Sequence, residues 1–98
     1  MTQHPHPRFP CVVVEGLIAT ERVTVDIYRF DPNCKIDLHS HNDLEAILIA
    51  ISGELHLIVN EKYYTLKEFG VVHIRRNEEH SLWTLNSNAK VWVIEFKI

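Results

Sequence analysis

His39, His41 and Glu45 are two histidines spaced two apart with a glutamate four residues further on. Successive side chains of an extended chain point to opposite faces, so positions 39, 41 and 45 share one face of a regular strand. Two imidazoles and a carboxylate on one face are a donor set for a divalent transition metal. A bulge at Asn42-Asp43 would shift that face assignment. Behind the donors, Ala46-Ile47-Leu48-Ile49-Ala50-Ile51 is apolar on both faces, and Ser52-Gly53 then turns the chain. Ile47, Ile49 and Ile51 are expected to continue the His/Glu face. Ala46, Leu48 and Ala50 then need a second cover, from another sheet, another subunit or the N-terminal strand.

The elements that must hold these residues read as short strands. Val23, Val25 and Ile27 alternate with Thr24, Asp26 and Tyr28 in a half-buried pattern. Further strands are expected over 11–15, 54–59, 62–66, 71–74, 80–85 and 89–97, Lys35 to Leu38 leads into the first histidine, and turn signals stand at Asp31-Pro32-Asn33 and Asn86-Ser87-Asn88. At Asn60-Glu61 a glutamate stands where a two-residue hairpin prefers glycine, so either that turn is strained or the loop is longer. Regularly spaced short strands without a helical period predict an all-β sandwich or barrel.

Composition sets the outer limits. The chain has 98 residues, 46% of them apolar, which suits one globular domain with a modest core. The net charge of −3, with acids and bases interspersed, argues against a nucleic-acid surface. No apolar run approaches the ~20 residues that span a bilayer. The polar, proline-broken N-terminus does not read as a signal peptide, so a cytoplasmic location is expected. Cys11 and Cys34 are expected to be small buried or half-exposed thiols rather than a disulfide scaffold. Residues 1–10, with Pro5, Pro7 and Pro10, read as a flexible arm preceding a domain over 11–98. Removal of Met1 would leave Thr2-Gln3-His4, a free amine with a third-position histidine that can chelate copper or nickel.

The stretch from His39 to Gly53 resembles the first motif of the cupin superfamily: His-x-His, three or four residues, Glu, about six residues, Gly. Here three residues precede Glu45 and seven lie between Glu45 and Gly53, one more than usual. The second cupin motif would be Gly70 to His80, which lacks the usual proline. Gly53-Glu54, Asn60, Tyr64-Thr65-Leu66 and Asn77-Glu78-Glu79-His80-Ser81 follow in the order seen in the N-terminal sensor barrels of AraC-type transcription regulators. The resemblance covers roughly residues 35 to 97.

The resemblance implies a single small cupin-type (jelly-roll) β-barrel. It adds His80 to His39, His41 and Glu45 as a metal set open to Zn, Fe, Mn, Ni or Cu. Such sensor barrels also keep these histidines as polar pocket walls without metal. The large aromatics Tyr28, Tyr64, Trp83 and Trp92 fill the core or line a ligand pocket with His73. His56 alternates against Leu55 and Leu57 and reads as outward. The implied function is small-molecule binding, as the effector-sensing domain of an AraC-like regulator or a stand-alone equivalent. The alternative is a metal-dependent isomerase or dioxygenase. A homodimer is expected. DNA binding by this chain is not, because no helix-turn-helix segment follows the barrel within it.

Overall fold

The computed structural model describes residues 3–98; Thr2, and with it the amino-terminal chelate, lies outside them. Ten strands run in chain order: β1 Gln3–Pro5, β2 Val12–Ala19, β3 Val23–Phe30, β4 Lys35–His39, β5 Leu44–Gly53, β6 Leu55–Val59, β7 Lys62–Leu66, β8 Val71–Ile74, β9 His80–Trp83 and β10 Ala89–Lys97. They form two antiparallel sheets, ordered β1-β2-β3-β10-β5-β8 and β4-β9-β6-β7. No helix occurs among the described residues. The expected all-β barrel is the fold observed.

The two sheets face each other across a core that includes Val12, Val14, Phe30, Ile36, Leu48, Leu55, Leu57, Leu82 and Val91. The alternation of β10 decides which side of it is inside. Ala89, Val91 and Val93 are buried, and Trp92 between them is exposed.

The face assignment of β5 needs correction. Ala46, Leu48 and Ala50 are the buried face, covered within the chain by the core of the opposite sheet. Ile47, Ile49 and Ile51 lie on the other side and are only half-buried. A strand apolar on both faces carries no parity signal. The chain also changes sheet between His39 and Leu44, so phase does not carry across.

Gly53 ends β5 with φ +75°, and a Cβ there would come within 2.1 Å of the Asn88 carbonyl oxygen. Only glycine fits that turn. The β6–β7 hairpin resolves to the strained alternative. Val59 pairs with Lys62, and both Asn60 and Glu61 take positive φ; two such residues are what a two-residue type I′ turn requires.

The N-terminal arm also departs from expectation. Gln3–Pro5 pairs with Val13–Glu15 as an edge strand, a position that tolerates proline. Cys11 and Cys34 are disulfide-bonded rather than free, with Cα atoms 5.7 Å apart. The bond ties the end of the arm to the turn that leads into β4. Two cysteines in a sequence do not reveal whether the fold brings them together; the β2–β3 pairing does.

Candidate metal centre and its cavity

Three histidines converge at one end of the barrel. His39 and His80 are register partners across β4 and β9. The register between these strands shifts by one residue between Ile36 and His39. Plain alternation from the buried Ile36 would send Leu38 inward and His39 outward. The bulge reverses this, leaving Leu38 exposed and bringing His39 to the cavity. His41 follows from the segment that crosses between the sheets. The ring centroids are 4.2 Å apart for His39–His80, 4.9 Å for His39–His41 and 5.4 Å for His41–His80.

The ligand atoms of the three rings all lie within 4.8 Å of one another. Two nitrogens on one tetrahedral zinc stand roughly 3.3 Å apart, so a spread of this size is on the scale of one shared ion. Second partners for the rings are already in place. His39 Nδ1 donates to the Asp37 carbonyl at 2.8 Å, and His80 Nδ1 donates to the Glu78 carbonyl at 2.9 Å. In the neutral form each ring then carries its lone pair on Nε2, the tautomer that a metal needs. Burial pushes the His80 pKa down to about 4; the Glu78 carbonyl opposes this and the neighbouring His39 and His41 add to it. Burial and His39 also lower His41, against the charges of Glu95 and Asp43. These two imidazoles are thus neutral at pH 7, as ligation requires. On donor type, tautomer and charge, the cluster fits a divalent transition metal.

The histidines open into a cavity of about 210 Å³, whose walls include Tyr28, Phe30, Ile36, Leu48, Leu82 and Val93. His6, Arg8 and Phe9 of the N-terminal arm close one side, and Glu95 of β10 enters opposite Ala46.

Other expected site residues lie elsewhere. Glu45 does not join the histidines; it is on the outer side of β5, where it accepts from His73 Nε2 at 2.9 Å. His73 is accordingly an exposed residue of β8, outside the cavity. Trp92 stands on the outer face of β10 and Tyr64 is exposed on β7. Trp83 lines a groove on the outer face of the smaller sheet with Lys35, Leu38 and Ile58. His56 does point to that outer side, as read, yet is only 7% exposed. Its Nε2 donates to Glu54 at 3.1 Å, its Nδ1 accepts from the Tyr63 hydroxyl, and Trp83 stacks on its ring. Of the expected pocket residues, Tyr28 alone lines the cavity with the histidines.

Residues 26–95 match the Cupin domain family. The chain belongs to the cupin family. No functionally curated protein matches its sequence. Among solved structures, KdgF from Halomonas sp. superposes with a TM-score of 0.90 at 12% identity, over 100% of this chain and 87% of that one. The Schizosaccharomyces pombe Cnp3 cupin domain gives 0.87 at 10% identity, over 100% and 69%. A predicted oxalate decarboxylase from Thermotoga maritima gives 0.82 at 19% identity, over 89% and 81%. At these identities the likeness is one of fold.

As a cupin, the chain departs from the motif pattern in one place that the structure explains. With six residues between it and Gly53, the motif's carboxylate position falls on Ala46, which lines the cavity, and not on Glu45, which faces out. The extra residue before Gly53 was the signal. Residue-by-residue reading missed Glu95, although it continues the alternation of the buried Val91 and Val93. It also missed His6, Arg8 and Phe9, which only the disulfide and the β1–β2 pairing bring to the cavity.

Proposed function

We propose that this chain is a small-molecule-binding cupin domain in which His39, His41 and His80 hold a divalent transition metal in the cavity wall. The observation that carries this is the convergence of three ligand atoms within 4.8 Å in the wall of a largely apolar cavity. A metal held by three imidazoles keeps coordination positions for an exogenous ligand. The cavity volume of about 210 Å³ is below the roughly 300 Å³ at which ordinary ligand pockets begin, so it suits a small molecule. Arg8 at its edge favours an anion. A small oxyacid therefore fits best. Effector sensing of the AraC-like kind is the form of binding that the ordered motifs support.

A second reading, a metal-dependent enzyme of isomerase or dioxygenase type, is favoured by one observation. Glu95 and Tyr28 face the same cavity as the histidines, which places proton-transfer groups beside a bound ligand. The Thermotoga relative, described as a predicted oxalate decarboxylase, suggests the same class of small acid.

The domain works as a homodimer in this reading. The face involved is the outer side of the larger sheet, where Ile47, Ile49, Val71, Trp92 and Phe96 remain exposed or half-buried. A cytoplasmic setting belongs to the reading as well; there Cys11 and Cys34 would be held mainly as thiols, which thiol trapping in cell extract would report.

Thermal-shift titration with oxalate, malonate and pyruvate, with and without equimolar Zn²⁺, tests the functional reading. Stabilisation that appears only with metal supports it. Identical melting curves with and without the acids in the presence of metal would sink small-acid binding.

A further inference from the structure

The cavity position nearest the motif's usual carboxylate is filled by a residue with no donor. Ala46 lines the cavity beside the three histidines and is 7% exposed. Its sequence neighbour Glu45 carries a carboxylate, but the pleat sends that side chain to the opposite face, where His73 takes it up. The β5–β10 register places Glu95 directly opposite Ala46. Glu95 lines the cavity and is the one acidic side chain that does so among the described residues. Directly paired Cα atoms of antiparallel strands stand about 4.5–5.5 Å apart. A glutamate side chain spans a similar distance, so a change of rotamer would carry its carboxylate from Thr24 of β3 toward the space that Ala46 leaves on the other side of β10. Glu95 is lightly held. Its hydrogen bond is from Thr24 Oγ1 to Oε1, at a long 3.3 Å.

We propose that Glu95, supplied from β10, is the carboxylate arm of the metal centre, standing in for the carboxylate that β5 does not present to the cavity. The inference rests on the reading that His39, His41 and His80 bind a metal. A carboxylate beside three imidazoles neutralises part of the ion's charge and shifts the site toward harder ions, such as Mn²⁺ and Fe²⁺. The role is a transposition: the same chemical group reaches the same cavity from the adjacent strand.

Metal binding by the purified, metal-stripped protein tests it. Affinities for Zn²⁺ and Mn²⁺ are read by calorimetry, and the coordination of added Co²⁺ by its visible absorption. E95Q is expected to weaken binding at least about tenfold, more for Mn²⁺ than for Zn²⁺, and to change the Co²⁺ spectrum. E45Q is expected to match wild type in both. The double variant A46E/E95Q, which returns the carboxylate to β5, is expected to recover affinity and spectrum. Wild-type binding by E95Q overturns the proposal and leaves the three-histidine centre standing. A loss carried by E45Q overturns it in favour of Glu45. Failure of the wild-type protein to bind any of the three ions overturns the histidine centre and this inference with it. Metal-free melting curves of E95Q and wild type that superimpose show that the comparison is between folded proteins.

Discussion

His39 and His80 face each other across β4 and β9, and each donates Nδ1–H to the backbone carbonyl two residues before it. The two rings are thus locked in one tautomer by main chain alone. That arrangement holds whichever side chains surround it, and it leaves both Nε2 atoms for a ligand. Several consequences can be measured.

The metal-free protein loses stability in mild acid. His80 is buried and neutral, with a folded-state pKa of about 4 against an ordinary 6.5. The unfolded chain gains its proton as pH falls through about 6.5, and the folded chain only near 4. The stabilising contribution is therefore full above about pH 6.5 and is lost progressively between there and 4. The lowered pKa of His41 acts in the same direction. For His80 the span is worth on the order of 3 kcal/mol. Urea midpoints of metal-free protein should fall steadily from pH 7 to 4.5, and H80N should flatten that slope.

Reducing the disulfide lowers stability. Cys11 and Cys34 close a loop with a sequence separation of 23. Chain entropy assigns such a closure about 3 kcal/mol, which for a domain of this size is roughly 12–24 °C in Tm. Melting with and without dithiothreitol, repeated on C11S/C34S, should show that difference in wild type and none in the variant.

Gly53 tolerates no side chain. Its φ of +75° and the 2.1 Å approach of a Cβ to the Asn88 carbonyl oxygen combine backbone strain with a clash against main chain. G53A is expected to cost at least about 2 kcal/mol in urea unfolding. A cost below about 0.5 kcal/mol would show that the β5–β6 turn relaxes freely.

Self-association should depend on Trp92. In the single chain Trp92 is 42% exposed, Phe96 39% and Val71 60%, on the outer face of one sheet. If a second copy covers this face, W92E raises the dimer dissociation constant by about thirtyfold or more, the effect of losing a central aromatic anchor. Sedimentation that finds wild type monomeric at high micromolar concentration would remove the dimer from the account.

The strand pattern was legible because alternation marks half-buried strands plainly, as in Val23–Phe30 and Ala89–Lys97. The orientation of β5 was not, because Ala46 to Ile51 is apolar on both faces and offers no polar residue to set the phase. The bulge that turns His39 inward leaves no mark in residue type. It compensates for the alternation that would otherwise have turned His39 away. Glu45 was chosen over Glu95 because proximity in sequence is visible and strand register is not. The seven-residue gap to Gly53 was the available warning. Pairing of Cys11 with Cys34 depended on β2 lying against β3, which spacing alone does not encode.

The central claim is that His39, His41 and His80 bind a divalent transition metal. Elemental analysis of untagged protein purified without chelator tests it most directly, alongside the variant H39A/H41A/H80A. The account predicts close to one equivalent of transition metal per wild-type chain, supplied in culture or restored by added zinc, manganese or cobalt, and none in the variant. Metal near zero in wild type with no uptake of the added ions, or equal metal in wild type and variant, would contradict it.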